Sequence, residues 1–222
     1  MVHTLKLDPA RVTVIPNPIV TDELLRRGDP EATGAEPRQA TSILYVGRLA
    51  LEKDLPTLLR AFRQVSERRE ASLILVGEGP QRAQLEQLAD ELGISSQTKW
   101  AGFVEDPYAL MRQASVLVLP SRWEGLGAVV VEAMACGCSV VATDGPGGVR
   151  EVLDGGRYGT LVPVGDPVAM AEAIVSTLDS PFPHEILRQR AREYTVGVIA
   201  ARYLDLIPRC LPNIIAKPDT ST

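Results

Sequence analysis

Four charged side chains stand out by type and spacing: Arg48, Lys53, Glu124 and Glu132. Arg48 and Lys53 lie five residues apart, just past an apolar run where a strand-to-helix turn is expected. From such a turn a guanidinium fork and an ammonium can converge on one anion, and a diphosphate suits both. Read alone, the pair fits a solvated loop slightly better. Glu124 and Glu132 lie eight residues apart, and Gly125, Leu126 and Gly127 open a helix between them. The unbonded N–H groups of a helix start form an anion site. Glu132 is flanked by Val129, Val130, Val131, Ala133, Met134 and Ala135, where burying a carboxylate without partners is costly. No Lys or Arg lies within one turn of it, and the two hydroxyls of a ribose would satisfy it. The other reading puts Glu132 on the one exposed stripe of its helix. Glu124 either accepts hydrogen bonds from a sugar or caps the helix.

Other chemistries have little material. The chain of 222 residues has only two histidines, His3 and His184, for any Ser-His or Cys-His nucleophilic site. Cys136 and Cys138 are too close for a relaxed disulfide with each other, and Cys210 stands apart. No CxxC or HExxH occurs, and no DxD pair offers a carboxylate clamp for a divalent cation. No metal site is expected. A net charge of −5 argues against a general nucleic-acid or anionic-membrane binder. No apolar run reaches the roughly 18–20 residues of a membrane span. The first residues lack the apolar stretch of a secretory signal, so the expected compartment is the cytosol.

The elements that must carry these residues follow from six short apolar runs: 43–48, 72–77, 98–103, 116–120, 139–143 and 160–163. Runs without polar alternation predict a sheet covered on both faces. Most are separated by helix-length segments. The first of these has Leu55, Leu58, Leu59, Phe62 and Val65 at helical spacing, and the next has Leu85, Leu88 and Leu92 and stops at Gly93. Strand–helix alternation predicts right-handed crossovers and a single Rossmann-like, doubly wound, mostly parallel α/β sheet. Residues 1–20 read as a junction with a strand at 11–19, 21–41 as a linker or mobile loop, and 42–207 as the domain. Helices are expected at 184–196 and 197–207, the second ending before Pro208, with a tail over 208–222. In an open α/β sheet the ligand crevice lies outside the carboxyl ends of the strands. The residues after those runs are Gly47-Arg48, Gly77-Glu78-Gly79, Phe103-Val104, Ser121 to Gly127, and Asp144 to Gly148.

The segments RVTVIPNPI (11–19), VGRLALEKDLPTLLRAF (46–62), LVGEGP (75–80), WAGFV (100–104) and VLVLPSRWEGLGAVVVEAMACGCSVVATDGPGGVREV (116–152) resemble the C-terminal, donor-binding half of family-4, group-1 retaining glycosyltransferases of GT-B architecture. The resemblance covers nearly everything from residue 11 to 207 except 21–41. Its most specific element is Glu-x7-Glu, Glu124 to Glu132, with the Arg48/Lys53 pair in the matching place. It implies that Arg48 and Lys53 hold a nucleotide diphosphate and stabilise the leaving phosphate, as a metal does in other transferases. Glu132 would take the ribose hydroxyls. Glu124 and the N–H groups of Gly125, Leu126 and Gly127 would position the donor sugar and its phosphate. Gly47, Phe103 and Val104 would line the donor site, the last two beside the base. In this chain Asp54 stands where the family often has glycine, and Leu126 where it often has phenylalanine.

Members of the family carry an N-terminal Rossmann domain with the acceptor site and a functional histidine, with which neither His3 nor His184 can be equated. The expectation is therefore a donor-binding half, inactive alone, that uses no cofactor. Its substrate would be a nucleotide diphosphate sugar, UDP-linked first and GDP- or ADP-linked next. Its partner would be an acceptor-binding N-terminal domain, which would also carry any peripheral membrane contact. The alternative is a stand-alone nucleotide-sugar-binding module that works with a separate acceptor-domain chain. A nicotinamide oxidoreductase is disfavoured, because GLGAVV and GEGPQR each break the G-x-G-x-x-G fingerprint at its third glycine.

Overall fold

The computed structural model describes residue 8, residues 12–29 and residues 41–210. All six expected strands are present: β1 (Ser42–Val46), β2 (Ser72–Val76), β3 (Thr98–Gly102), β4 (Val116–Leu119), β5 (Ser139–Thr143) and β6 (Thr160–Val162). They form one parallel sheet in the order β3-β2-β1-β4-β5-β6. The chain works outward from β1 to β3 and then from β4 to β6, so the direction of winding reverses between β1 and β4.

Alternate strand residues feed two cores. Ile43, Tyr45, Leu73, Leu75, Val116, Val118 and Val141 face one layer of helices: α2 (Leu55–Ser66), α3 (Arg82–Glu91) and α7 (Pro167–Asp179). Leu44, Val76, Leu117, Leu119, Val140 and Ala142 face the other. That second layer contains α1 (Asp22–Gly28), α4 (Tyr108–Gln113), α5 (Ala128–Ala135), α6 (Val149–Val152) and α8 (His184–Arg192). In α2 the five expected apolar residues are all buried, and α3 gives way to a left-handed turn at Gly93, φ 69°. Helix α5 is apolar on nearly every side because the sheet and α8 cover it, and burial of this kind is the main stabilising force of the fold.

Three expectations are corrected. No strand forms over 12–19, where Pro16 and Pro18 lack ladder donors. Val20 instead makes an isolated parallel bridge with Thr195, and the N–H groups of Ile19 and Val20 both donate to the Tyr194 carbonyl at 3.0 Å. The segment 21–41 is not all linker. It opens with α1, whose N-cap Thr21 accepts from Leu24 N–H at 3.1 Å. Leu24 is buried, and Gly28 lies so close to α5 that a Cβ there would sit 2.8 Å from the Ala135 carbonyl oxygen. Residues 30–40 fall outside the described residues. Finally, α9 (Val196–Cys210) runs through Pro208. A proline's fixed φ is itself helical, and its missing N–H removes only one bond of the last turn. The rest of the expected tail, 211–222, lies outside the described residues.

Candidate functional site

The crevice opens where the winding reverses, at the carboxyl ends of β1 and β4, the ligand position of open α/β sheets. On the β1 side the backbone is pressed together. Gly47 N–H donates to the Val76 carbonyl and Leu49 N–H to the Glu78 carbonyl, each at 2.9 Å. Gly77 has φ 131°, and a Cβ there would lie 1.9 Å from the Gly47 carbonyl oxygen, so only glycine allows this approach. Above this floor is a hollow of about 340 Å³ that brings together Gly47, Arg48, Phe103 and Val104, with Val46, Val76, Gly77 and Glu78. Phe103 is 78% exposed and presents its ring to solvent at the edge. Glu78 and Gly77 were visible in sequence only as part of a glycine-rich turn.

Lys53 closes a short 3-10 turn, Leu51–Lys53, after β1. Its Nζ lies 2.5 Å from Glu124 Oε1, and Ser121 Oγ donates to the same oxygen at 2.6 Å. Both charged side chains are mostly buried, at 21% and 14% exposure, so the pair is only lightly screened. Arg48 is held more loosely, 3.6 Å from Glu52 Oε1 and well exposed. Arg48 and Lys53 thus stand on different carboxylates, one beside the hollow and one beside α5. The loop carrying Glu124 is fixed from behind. Glu124 N–H donates to the Pro146 carbonyl at 3.0 Å, and Gly148 N–H to the Gly125 carbonyl at 2.7 Å. A Cβ on Gly147, φ 132°, would lie 1.9 Å from the Glu124 carbonyl oxygen. Asp144 is held below the usual carboxylate range by hydrogen bonding to Arg150, which braces this second loop.

Gly127, φ 78°, is the N-cap of α5, and no side chain caps the helix. Of its first N–H groups, that of Val130 donates to the Gly127 carbonyl at 2.9 Å. Just over one turn along, Glu132 is half-buried, and no described residue makes a hydrogen bond or ion pair with its carboxylate. Burial alone pushes its pKa above the usual value. Its half-buried companions are Ala128 and Val129, one turn toward the N-terminus. A helical Cα–Cβ bond tilts that way too. Ala128, Val129 and Glu132 together form the one open stripe of α5 that the second sequence reading expected, half-buried rather than fully exposed.

The remaining candidates are quiet. Cys136 and Cys138 are buried, and burial pushes the Cys136 thiol up to about 12, far from a reactive thiolate. His184 lies at the opposite end of the sheet beside a hollow of about 260 Å³, its Nδ1 2.7 Å from the Gly137 carbonyl oxygen. His3 is outside the described residues. Among the described residues no group of three His, Cys, Asp or Glu is placed to hold a metal, and no helix is long and apolar enough to cross a membrane.

Residues 31–195 match the model of the family described as glycosyl transferases group 1. The chain is 31% identical over 193 residues to alpha-D-kanosaminyltransferase of Streptomyces kanamyceticus, covering 83% of this chain and 49% of that protein. It is 35% identical over 235 residues to D-inositol 3-phosphate glycosyltransferase 2 of Catenulispora acidiphila, covering 97% of this chain and 55% of that protein. Its fold is shared with HepE of Anabaena, crystallised in complex with UDP, at a TM-score of 0.75 and 22% identity over 93% of this chain and 60% of that one. The chain spans about half the length of the curated relatives it matches.

Proposed function

This chain belongs to the group 1 glycosyltransferases, and on that premise we propose that it is the donor-binding half of a retaining, metal-independent enzyme that transfers a sugar from a nucleotide diphosphate sugar. The observation that carries the reading is the unpartnered Glu132 carboxylate, set behind an uncapped helix start and one loop from Lys53. A nucleotide diphosphate meets each of these needs. Its ribose hydroxyls would donate to Glu132, and its phosphates would accept from the α5 N–H groups. Lys53 would leave Glu124 for the diphosphate, and Arg48 would swing in from the hollow. Both cations would stabilise the charge that collects on the leaving phosphate as the glycosidic bond breaks. Glu124, released from Lys53, would accept from a donor-sugar hydroxyl. The base would lie over Gly47 against Phe103 and Val104. A UDP-linked donor is the first expectation, supported by the UDP held in the related fold of HepE, with GDP or ADP next.

The acceptor would be held by a second, N-terminal domain, in the same chain or a separate one. Helix α9 supports such a partner. Ile199 is buried, and further along the helix Tyr203, Leu204 and Ile207 are exposed. In the proposed scheme this half binds donor but does not transfer sugar alone.

Titration calorimetry with UDP, GDP and ADP tests the reading, and no binding by any of them to the folded chain would end it. Lys53→Ala should weaken UDP binding by about ten- to a hundredfold, the scale of one charge-assisted bond, and uridine binding hardly at all. Equal losses for both ligands would contradict the phosphate role.

A further inference from the structure

Asp54 follows Lys53 directly, and its geometry is unusual for a residue with a side chain. Its backbone is left-handed, φ 45° and ψ 43°, a conformation glycine adopts freely and other residues adopt at a cost. Its carboxylate does not cap α2. It is turned inward, 7% exposed, where one oxygen accepts from Thr57 Oγ1 at 3.0 Å and the other lies 3.6 Å from Arg122 Nη2. Arg122 belongs to the loop that carries Glu124. That loop is tied to the same turn twice more, by Arg122 N–H donating to the Glu52 carbonyl at 2.8 Å and by the Lys53–Glu124 pair. Glu52, Lys53 and Asp54 therefore each hold the loop by a different bond. Of the three, the Lys53–Glu124 bond is the one a diphosphate would take apart.

A buried charge on a strained backbone persists only where its surroundings hold it there, and such positions gather at ligand sites. We propose that Asp54 is a positioning residue for nucleotide diphosphate: its buried carboxylate anchors Arg122, keeping the 121–124 loop docked when Lys53 turns to the phosphate. This rests on the donor-binding reading above. Without the anchor, the ligand must also order the loop, and that entropy is subtracted from its affinity.

Trp123, exposed between Arg122 and Glu124, reports on the loop directly. The chain has two tryptophans, so Trp100→Phe leaves Trp123 as the sole emitter. In that background Asp54→Gly, Arg122→Gln and the double variant are compared with their parent by acrylamide quenching and by titration with UDP and uridine. Glycine suits φ 45°, so Asp54→Gly retains the fold. Each single variant should raise quenching of Trp123 without ligand and lower UDP affinity about three- to tenfold, with uridine unchanged and the double variant no worse than either. Unchanged quenching and UDP affinity in Asp54→Gly would overturn the proposal. So would losses that multiply in the double variant, or an equal loss of uridine affinity. A parent that binds no UDP overturns the donor-site reading instead, and ligand-free quenching then decides alone whether Asp54 anchors the loop.

Discussion

Glu124 and Glu132 lie eight residues apart, and their surroundings are opposite. At Glu124 one oxygen already receives a lysine and a serine, and two loops brace the backbone behind it. At Glu132 no described group reaches the carboxylate. A ligand at the first position must exchange one charge-assisted bond for another, so the net gain is modest. A donor that reaches the second position relieves a desolvated charge and gains more. In the proposed scheme the contrast would separate two tasks on one short segment: Glu124 would keep a cation in place until substrate arrives, and Glu132 would supply affinity.

The largest expected effect comes from removing the brace on Glu124 alone. Gly147→Ala places a Cβ against the Glu124 carbonyl oxygen in a backbone conformation that disfavours alanine. It should destabilise the domain by about 3 kcal/mol in denaturant unfolding. A loss under about 1 kcal/mol would mean that the two loops slip past each other freely.

Next in size is the reverse experiment at Glu132. Glu132→Leu should stabilise the ligand-free domain at neutral pH by about 1 kcal/mol, because it removes a half-buried carboxylate that has no partner. The pH dependence follows from the direction of its shift. The folded state binds the Glu132 proton more tightly than the unfolded state, so stability present below the ordinary value of 4.5 is lost as pH rises through the raised one. The melting-temperature gap between Glu132→Gln and the parent should therefore be small at pH 4, open in favour of the variant by pH 7, and shrink again with saturating UDP. A gap that ignores pH would place the carboxylate in water.

The smallest effect lies outside both carboxylates. Phe103→Ala, at an exposed position, should change stability by less than about 0.5 kcal/mol. It should still weaken uridine binding about two- to fivefold if the base stacks there, as calorimetry would show.

The six strands and the α2 stripe were legible because apolar periodicity is a local signal and these elements are long enough to display it. Helix α1 was not. Seven residues with Leu24 as the buried apolar side chain make no stripe, and contacts from far along the chain hold the helix. Arg188 Nη2 donates to the Gly28 carbonyl at 3.0 Å, and Gly28 lies tight on Ala135. The charged residues of the site were legible by type, since a glutamate inside AVVVEAMA is conspicuous. Their partners were not. Lys53 and Glu124 meet only because β1 and β4 are neighbours at the reversal of winding, a fact of topology that spacing along the chain does not carry. Arg122 and Asp54 meet for the same reason.

The bridge from Val20 to Thr195 bears on the order in which the domain assembles. It joins residues separated by nearly the whole fold, and the entropy of closing a loop grows with the chain between its ends. Before the sheet exists the contact is therefore a poor place to begin, and afterwards the two segments already lie near each other. Local opening runs in the opposite order. Loss of the paired N–H bonds to the Tyr194 carbonyl would free the 12–20 segment and the root of α9 without breaking a ladder of β1 to β6. If a second domain is joined here as proposed, its motion would reach this seam first, and the fold would yield there without disturbing the crevice between β1 and β4.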